Sequence, residues 1–270
     1  MIIDSHIHLD NYSERNLALA KRLENLKKIM KQNNIAKAVI IASIEEDEKH
    51  PSMEVLLKLL EKEKSLFLVG TISITNSSEK KLKRLNELLS KKKIIGIKLY
   101  PGYEKFYPYD KKCDKIYDLC EKFNVPVIFH SGETFGEGLG MKYAKPEHID
   151  EVAVKRPKLK IVIAHLGNPW TNDVMVILSR NKNVYADISG LVWKSFDKFQ
   201  KDYWQKEIIK ILKFCVNGNK LIFGTDWPCN EESTYFNFHK DYINFVNSLK
   251  ISKEDKKKIF CLNAEKLFNI

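Results

Sequence analysis

The sequence lacks the features that most quickly assign a protein to a class. It has five cysteines among 270 residues, and no two of them have the two-residue spacing of a metal-binding or redox pair. No apolar run is long enough to span a bilayer, and no basic segment followed by a long apolar stretch resembles a secretion signal. These absences argue against a disulfide framework, a zinc ribbon and a membrane partner, and they predict a cytoplasmic location.

A glycine-rich phosphate loop is also missing. The glycines of the segment 132–146, GETFGEGLGMKYAKP, do not follow the order of strand, G-x-G-x-x-G and helix that binds phosphate. We expect this segment to form a flexible loop or lid instead. The first turn, DSHIHLD, is not glycine-rich either, which argues against a doubly wound nucleotide-binding sheet.

Positive charge, by contrast, is abundant. The chain has 46 Lys and Arg against 35 Asp and Glu, which gives a formal net charge of +11. Lysine occurs in short runs, such as 91–93 and 256–258, without regularly interleaved aromatic residues. Such runs are typical of solvated helix faces and helix ends, so we do not expect nucleic acid to be the partner. The positive balance instead fits a small anionic substrate.

Eight short apolar runs recur along the chain, and stretches with helical periodicity follow most of them. One such stretch carries Leu82, Leu85, Leu88 and Leu89 at helical spacing. Strands that alternate with helices form parallel sheets covered on both faces. Eight units in a chain of this length predict a single-domain (β/α)8 TIM barrel over residues 1–270. The runs are IIDSHIHL, KAVIIAS, FLVGTISI, IIGIKLYP, PVIFHSG, KIVIAHLG, VYADISG and KLIFGTDWP.

The first run combines apolar and polar side chains in strict alternation. Because successive side chains of a strand point to opposite faces, Asp4, His6 and His8 are predicted to share one face. Ile3, Ile7 and Leu9 would occupy the other face. A strand with one solvated face would show the same alternation, but two imidazoles and a carboxylate are unusual choices for contact with water alone.

Polar side chains near the ends of other strands repeat this pattern. The carboxyl ends of barrel strands surround one shared mouth, so these side chains are expected to point inward near the same rim. By alternation they share faces with interior residues: His130 with Ile128, His165 with Ile161 and Ile163, Asp226 with Ile222 and Gly224, and Lys98 with Gly96 and Tyr100.

Four of these side chains have the chemistry of a metal site. Imidazole nitrogens and a carboxylate oxygen suit zinc or a similar divalent ion, and a catalytic site keeps one position open. His6, His8, His130 and Asp226 would form such a site. The alternative is four unconnected polar residues, each satisfied by a neighbour or by water. Because separate strands bring these donors to one end of one barrel, we favour the metal site.

These residues carry a resemblance to the amidohydrolase superfamily, especially its amidohydrolase-related branch of TIM-barrel metal enzymes. The matching pieces, spread over nearly the whole chain, are DSHIHLD, IGIKLYP, PVIFHSG, IVIAHLG, FGTDWP and NAEKLF. The resemblance implies that His6, His8, His130 and Asp226 bind a divalent metal ion, most simply one zinc. It implies that His165 acts beside this ion.

The reaction that the resemblance implies is metal-assisted hydrolysis of an amide, a lactone or another ester. A metal-activated water would attack, Asp226 would accept its proton, and Asp226 or His165 would return a proton to the leaving group. Two roles stay open. His165 either assists catalysis or binds a second ion, and Lys98 either holds a substrate carboxylate or, if carboxylated, bridges two ions. We favour the first role for each.

Further side chains after the strand ends are expected to line the pocket, namely Tyr100, Tyr103, Glu133, Trp170 and Trp227. Asp4 is expected to orient a ligand or to fill the barrel interior. The remaining histidines, predicted in loops or helices, receive no metal role: His50, His148 and His239. The cysteines with helical spacing are predicted core residues, namely Cys113, Cys120 and Cys215, while Cys229 receives no role.

Three other functions compete with hydrolysis. Relatives of this branch include decarboxylases and hydratases, which the sequence does not separate from hydrolases. A TatD-like metal nuclease also begins with H-x-H, but that family has a glutamate-bearing motif where this chain has IGIKLYP. A non-catalytic basic barrel that binds nucleic acid is the third, and it leaves the costly polar side chains at the mouth unexplained. The oligomeric state stays open, with a homo-oligomer as one alternative.

Overall fold

The computed structural model describes residues 1–12, 17–136, 138–191, 197–216, 218–228 and 237–270. All eight apolar runs contain a strand. The strands are β1 (Ile2–Ile7), β2 (Ile35–Ile41), β3 (Leu66–Thr71), β4 (Ile97–Leu99), β5 (Val127–Phe129), β6 (Ile161–Ile163), β7 (Val184–Asp187) and β8 (Leu221–Ile222).

Helices follow the strands as the alternation predicts. They are α1 (Leu19–Gln32), α2 (Met53–Leu59), α3 (Glu79–Ser90), α4 (Asp114–Phe123), α5 (Glu147–Lys155), α6 (Thr171–Arg180), α7 (Lys198–Ile211), α8 (Phe238–Ser248), α9 (Lys253–Lys257) and α10 (Asn263–Phe268). Within the described ranges, no helix is both long enough and apolar enough to cross a membrane.

The strands form one parallel sheet in sequence order that curls into a nearly closed barrel. Backbone contacts between β1 and the segment after β8 bring its two edges together. The Ser5 amide donates to the Phe223 carbonyl at 2.9 Å, and the Asp226 amide donates to the His6 carbonyl at 2.7 Å. The predicted (β/α)8 TIM barrel is therefore confirmed.

Two apolar layers hold the barrel together. The larger layer lies between strands and helices and includes Val127 and Phe129 of β5. The smaller one fills the barrel interior with residues such as Ile128 and Ile222, and Phe268 of α10 packs against them. Cys113 and Cys120 are buried, as predicted, whereas the side chain of Cys215 and the whole of Cys229 lie outside the described residues.

Strand β6 departs from the predicted alternation. Ile161 and Ile163 belong to the layer against the helices, while Val162 and Ala164 face the interior. The prediction that His165 shares a face with Ile161 and Ile163 is therefore wrong. His165 instead starts a turn with a positive backbone angle, φ 58°, and this turn redirects its side chain to the barrel mouth.

Strand β1 is also irregular. Its pairing with β2 shifts register between Asp4 and Ile7, so strict alternation does not hold across the strand. The Asp4 carboxylate accepts hydrogen bonds from the Thr225 amide at 3.0 Å and the Thr225 hydroxyl at 2.7 Å. It also lies 3.5 Å from Nε2 of His239 in α8. The predicted common face thus holds for His6 and His8, which line the mouth, but not for Asp4.

Candidate active site

A cavity of about 360 Å³ opens at the carboxyl ends of the strands. It is lined by all six side chains that the sequence predicted at the rim, namely His6, His8, Lys98, His130, His165 and Asp226. Tyr100, Tyr103 and Glu133 line it as expected, while Trp170 and Trp227 do not. Phe135 also lines it, so the glycine-rich loop 132–146 borders the cavity. We call this space the active-site cavity.

Several polar atoms converge at the base of this cavity. Oδ1 of Asp226 lies 3.4 Å from Nε2 of His6 and 3.5 Å from Nε2 of His8. The Lys98 ammonium lies 3.4 Å from the same His6 nitrogen. Among the described residues, His6, His165 and Asp226 each offer a ligand atom within 4.8 Å of the other two. Three separate strand ends thus supply donors to one point.

His130 has a different neighbourhood. Its Nε2 lies 3.0 Å from the carbonyl oxygen of Glu133, and its ring centroid is 5.2 Å from that of His165. Tyr103 packs edge-on against the His130 ring at 4.8 Å. Since a backbone carbonyl only accepts hydrogen bonds, Nε2 of His130 carries the proton in this arrangement, and Nδ1 is the nitrogen left to bind a metal.

Asp187, at the end of β7, organises the site, although the sequence reasoning assigned it no role. Its Oδ2 lies 2.8 Å from Nδ1 of His6. Its Oδ1 accepts from the His165 amide at 2.9 Å, the Ser189 amide at 3.1 Å and the Ser189 hydroxyl at 2.5 Å. The polar residues in VYADISG, at the end of a predicted strand, were the signal that could have revealed it.

Ser189 extends this network to a second histidine. Because the Ser189 hydroxyl donates to Asp187, its oxygen is available to accept from Nδ1 of His165, 2.9 Å away. Asp187 therefore fixes the proton of His6 on Nδ1, and Ser189 does the same for His165. Both Nε2 atoms are left unprotonated, as metal coordination by those atoms requires.

The charges at the site also fit a cation. Burial lowers the pKa of His6 to about 4, and it lowers the pKa of His165 as well. Burial alone would raise the pKa of Asp226, but the neighbouring imidazoles His165 and His8 lower it. His8 is the exception: burial lowers its pKa, but its hydrogen bond with Asp226 and the negative charges of Asp10 and Asp226 together outweigh burial and raise it. Neutral imidazoles beside an ionised carboxylate form a donor set that fits a divalent metal ion.

Lys98 is fully buried next to these side chains. Its side chain is 1% exposed, and burial lowers the pKa of its ammonium to about 8. Asp187 and Asp226 act against this shift and favour the charged form. A lysine poised near neutrality can either hold an anion as an ammonium or react as a free amine. The structure thus accommodates both roles that the sequence left open for Lys98, namely holding a substrate carboxylate and, when carboxylated, bridging two ions.

The backbone around the site is tightly constrained. Asp226 has φ 65°, a left-handed conformation that is costly for a residue with a side chain. Gly190 has φ 61°, and a Cβ there would lie 2.9 Å from Nδ1 of His165 and 3.0 Å from Oδ2 of Asp226. Any side chain at position 190 would therefore push two site residues apart.

A second group of candidate ligands lies at the rim, where Glu45, Asp47 and His50 have ligand atoms within 4.8 Å of one another. Nδ1 of His50 already contacts Oδ1 of Asp47 at 2.8 Å, and both carboxylates are exposed. Exposed acidic groups of this kind are common without an ion, and we assign no metal to them.

Asp4 supports the site from behind through Thr225, the neighbour of Asp226. We expect Asp4→Asn to lower the free energy of unfolding by about 1–3 kcal/mol, because a buried acceptor of two hydrogen bonds is lost or weakened. Denaturant unfolding measures the change. Thr225→Ser, which keeps the hydroxyl, should cost less, and an Asp4→Asn variant as stable as the wild type would contradict this role.

Comparisons with known proteins agree with this geometry. A family model described as amidohydrolase matches residues 3–270. The chain therefore belongs to the amidohydrolase family, as its sequence motifs suggested, and it is an enzyme of that superfamily. A search of curated protein sequences gives no significant match.

Solved structures share the fold over their whole length. An uncharacterised TIM-barrel protein from Bordetella bronchiseptica is 20% identical, with a TM-score of 0.76 over 99% of this chain and 98% of its own. An amidohydrolase from Burkholderia multivorans with bound zinc is 15% identical, with a TM-score of 0.73 over 100% and 99%. A 5-carboxyvanillate decarboxylase from Novosphingobium aromaticivorans, complexed with manganese, is 14% identical, with a TM-score of 0.70 over 100% and 96%.

Proposed function

We propose that this protein is a metal-dependent hydrolase that cleaves an amide, a lactone or another ester bond of a small anionic substrate. The observation that carries the proposal is the network of Asp187 and Ser189, which leaves Nε2 of His6 and of His165 free to bind beside Asp226. Family membership and the zinc-bound amidohydrolase neighbour support the same class of chemistry.

The residues that would hold the ion are His6, His8, His130 and Asp226, with His165 beside them. When bound, a divalent ion supplies Lewis acidity, which polarises a carbonyl oxygen and acidifies water. Zinc fits the imidazole-rich donor set best. The solved neighbours contain zinc in one case and manganese in another, so a divalent ion is the common element.

The chain's own side chains divide the proton transfers between them. The Asp226 carboxylate is ionised and lies at the base of the cavity, so it accepts a proton from the attacking water. His165, neutral and held through Nδ1 by Ser189, presents an unprotonated Nε2 that takes this proton from Asp226 and passes it to the leaving group. The Lys98 ammonium offers a buried positive charge to a substrate carboxylate or a developing oxyanion.

Decarboxylation is the second candidate. A buried lysine beside the metal ligands would equally well hold a substrate carboxylate that is released as carbon dioxide. The decarboxylase neighbour from Novosphingobium supports this alternative as much as the zinc-bound neighbour supports hydrolysis. The two reactions differ in their products, so carbon dioxide release against a new carboxylate from an ester or amide distinguishes them.

The test of metal dependence is removal and return of the ion. We expect dialysis against a chelator to abolish hydrolysis, and zinc or manganese to restore it. Elemental analysis of the purified protein should give about one ion per chain if His165 acts in catalysis, and about two if Lys98 is carboxylated and bridges them. Full activity in metal-free protein would overturn the proposal.

A further inference from the structure

A second cavity of about 750 Å³ adjoins the active-site cavity and shares four lining residues with it: Ile44, Glu45, Tyr103 and Phe135. We call it the outer chamber. It lies between the segment after β2, the end of β3 and the glycine-rich loop. Its own lining includes Met53, Ile72, Leu85, Leu139, Asn76 and Arg84. Because the two cavities have four lining residues in common, they adjoin beside Tyr103, and a ligand that passes Tyr103 from Asp226 and Lys98 would enter the outer chamber.

The floor of the outer chamber is apolar. Ile72 and Leu85 are 4% and 1% exposed, so each has a fixed position in the core. Met53 also packs partly buried against that core. Binding in such a concave apolar space is favourable when an apolar group displaces the water there.

Several polar groups of the chamber wall already have partners inside the protein. The Arg84 guanidinium donates to both carboxylate oxygens of Glu54 at 2.8 Å and to Glu87 at 2.9 Å. The Ser73 hydroxyl donates to Glu104 at 2.5 Å, and the Thr71 hydroxyl donates to the Lys98 carbonyl at 3.0 Å. Since these groups are satisfied, they offer little to a polar or charged ligand.

The charges that line the outer chamber also favour an uncharged ligand group. Within the described part of the chain, three carboxylates line the outer chamber, Glu45, Glu46 and Glu54, against two cations, Lys81 and Arg84. This net negative charge disfavours a second carboxylate on the substrate. An uncharged group meets neither this repulsion nor the cost of losing its hydration.

We propose that the substrate carries an uncharged apolar body, an alkyl or aryl group, which binds in the outer chamber while its carboxylate or carbonyl end reaches Lys98 and Asp226. This inference rests on the proposed function only for where the reacting end lies.

Direct binding tests the chamber without turnover. Calorimetry of the metal-loaded protein with acetate, butyrate and octanoate should show affinity rising by about fourfold for each methylene that becomes buried. Asn76→Trp should narrow the chamber, because Asn76 is exposed and lines it without lining the active-site cavity. This variant should lose the gain with chain length and keep wild-type affinity for acetate.

Two further variants complete the design. Ser77→Trp places the same bulk on the neighbouring exposed residue, outside both linings, and should behave as the wild type. Leu139→Asp adds a carboxylate to the chamber wall and should weaken octanoate binding without affecting acetate. Octanoate that binds no tighter than acetate, or an Asn76→Trp variant that keeps the full chain-length gain, would overturn the inference.

Hydrolysis of 4-nitrophenyl acetate, butyrate and octanoate separates the two proposals. If octanoate binding depends on the chamber but no ester is cleaved, the proposed hydrolysis fails and the chamber stands. If the three esters are cleaved with equal kcat/KM and octanoate gains no affinity, the hydrolase stands and the apolar body is wrong.

Discussion

Asp226→Asn is expected to lower kcat/KM for hydrolysis by about 10³-fold or more while the barrel stays folded. The asparagine is nearly isosteric with aspartate. The left-handed backbone of residue 226 and the hydrogen bond from its backbone amide to the His6 carbonyl therefore remain possible. What is lost is the anion that approaches both His6 and His8 within 3.5 Å. The neutral amide cannot accept the proton of the attacking water, and it is a poorer ligand for a divalent ion.

The measurement combines steady-state kinetics, metal content and circular dichroism. Asp173→Asn is the matched control, because Asp173 is an exposed carboxylate on α6 away from the cavity lining. It should leave all three readouts unchanged. An Asp226→Asn enzyme that keeps more than about a tenth of wild-type activity would show that another group performs the proton transfer.

The architecture was predictable because its signals are local. Periods of two and 3.6 residues mark strands and helices, and parallel strands place their carboxyl ends at one rim. Lys98 and His130 could therefore be assigned to a common cavity although they lie on different strands. This assignment depends only on which end of its strand each residue occupies.

The face of a strand was less predictable than its end. The register shift in β1 turns Asp4 toward Thr225, and the left-handed turn at His165 overrides the alternation of β6. Both irregularities arise from how neighbouring segments fit together in space, and a single sequence carries little trace of them. His165 still reaches the cavity, but by a turn and not by strand alternation.

Contacts between distant segments were beyond the sequence reasoning. Asp187 meets a histidine 181 positions away, and no local pattern gives that pairing. The outer chamber is formed by the segments after β2, β3, β4 and β5 together with α2 and α3, so neither its apolar floor nor its volume has a signature in any one segment. The polar residues at the end of β7 could have marked Asp187 as a candidate, but they carry no sign of its partner His6.

Asp187→Asn is expected to weaken metal binding by about 10- to 100-fold, since groups that orient a metal-binding histidine have effects of this size. Three donors point at Oδ1 of Asp187: the His165 amide, the Ser189 amide and the Ser189 hydroxyl. In the variant, these donors hold the amide oxygen on their side. The amide nitrogen then faces Nδ1 of His6.

An amide nitrogen donates its hydrogen, so Nδ1 of His6 must become the acceptor and its proton moves to Nε2. Nε2 is the atom that faces Asp226 at 3.4 Å, and once protonated it cannot bind a metal ion. The substitution therefore prevents His6 from binding the ion, although residue 187 contacts Nδ1 and not the coordinating atom Nε2. Activity should fall with metal occupancy.

Titration with a competing chelator measures the affinity, and nitrogen NMR of the imidazoles reports which His6 nitrogen carries the proton. Ser189→Ala is the matched comparison, because it removes the hydroxyl acceptor for His165, leaving only the Ser189 carbonyl 3.3 Å from Nδ1, and keeps the bond between Asp187 and His6 in place. It should weaken metal binding less and leave the His6 proton on Nδ1. Wild-type metal affinity in Asp187→Asn, with the His6 proton still on Nδ1, would show that the orientation of His6 does not depend on this carboxylate.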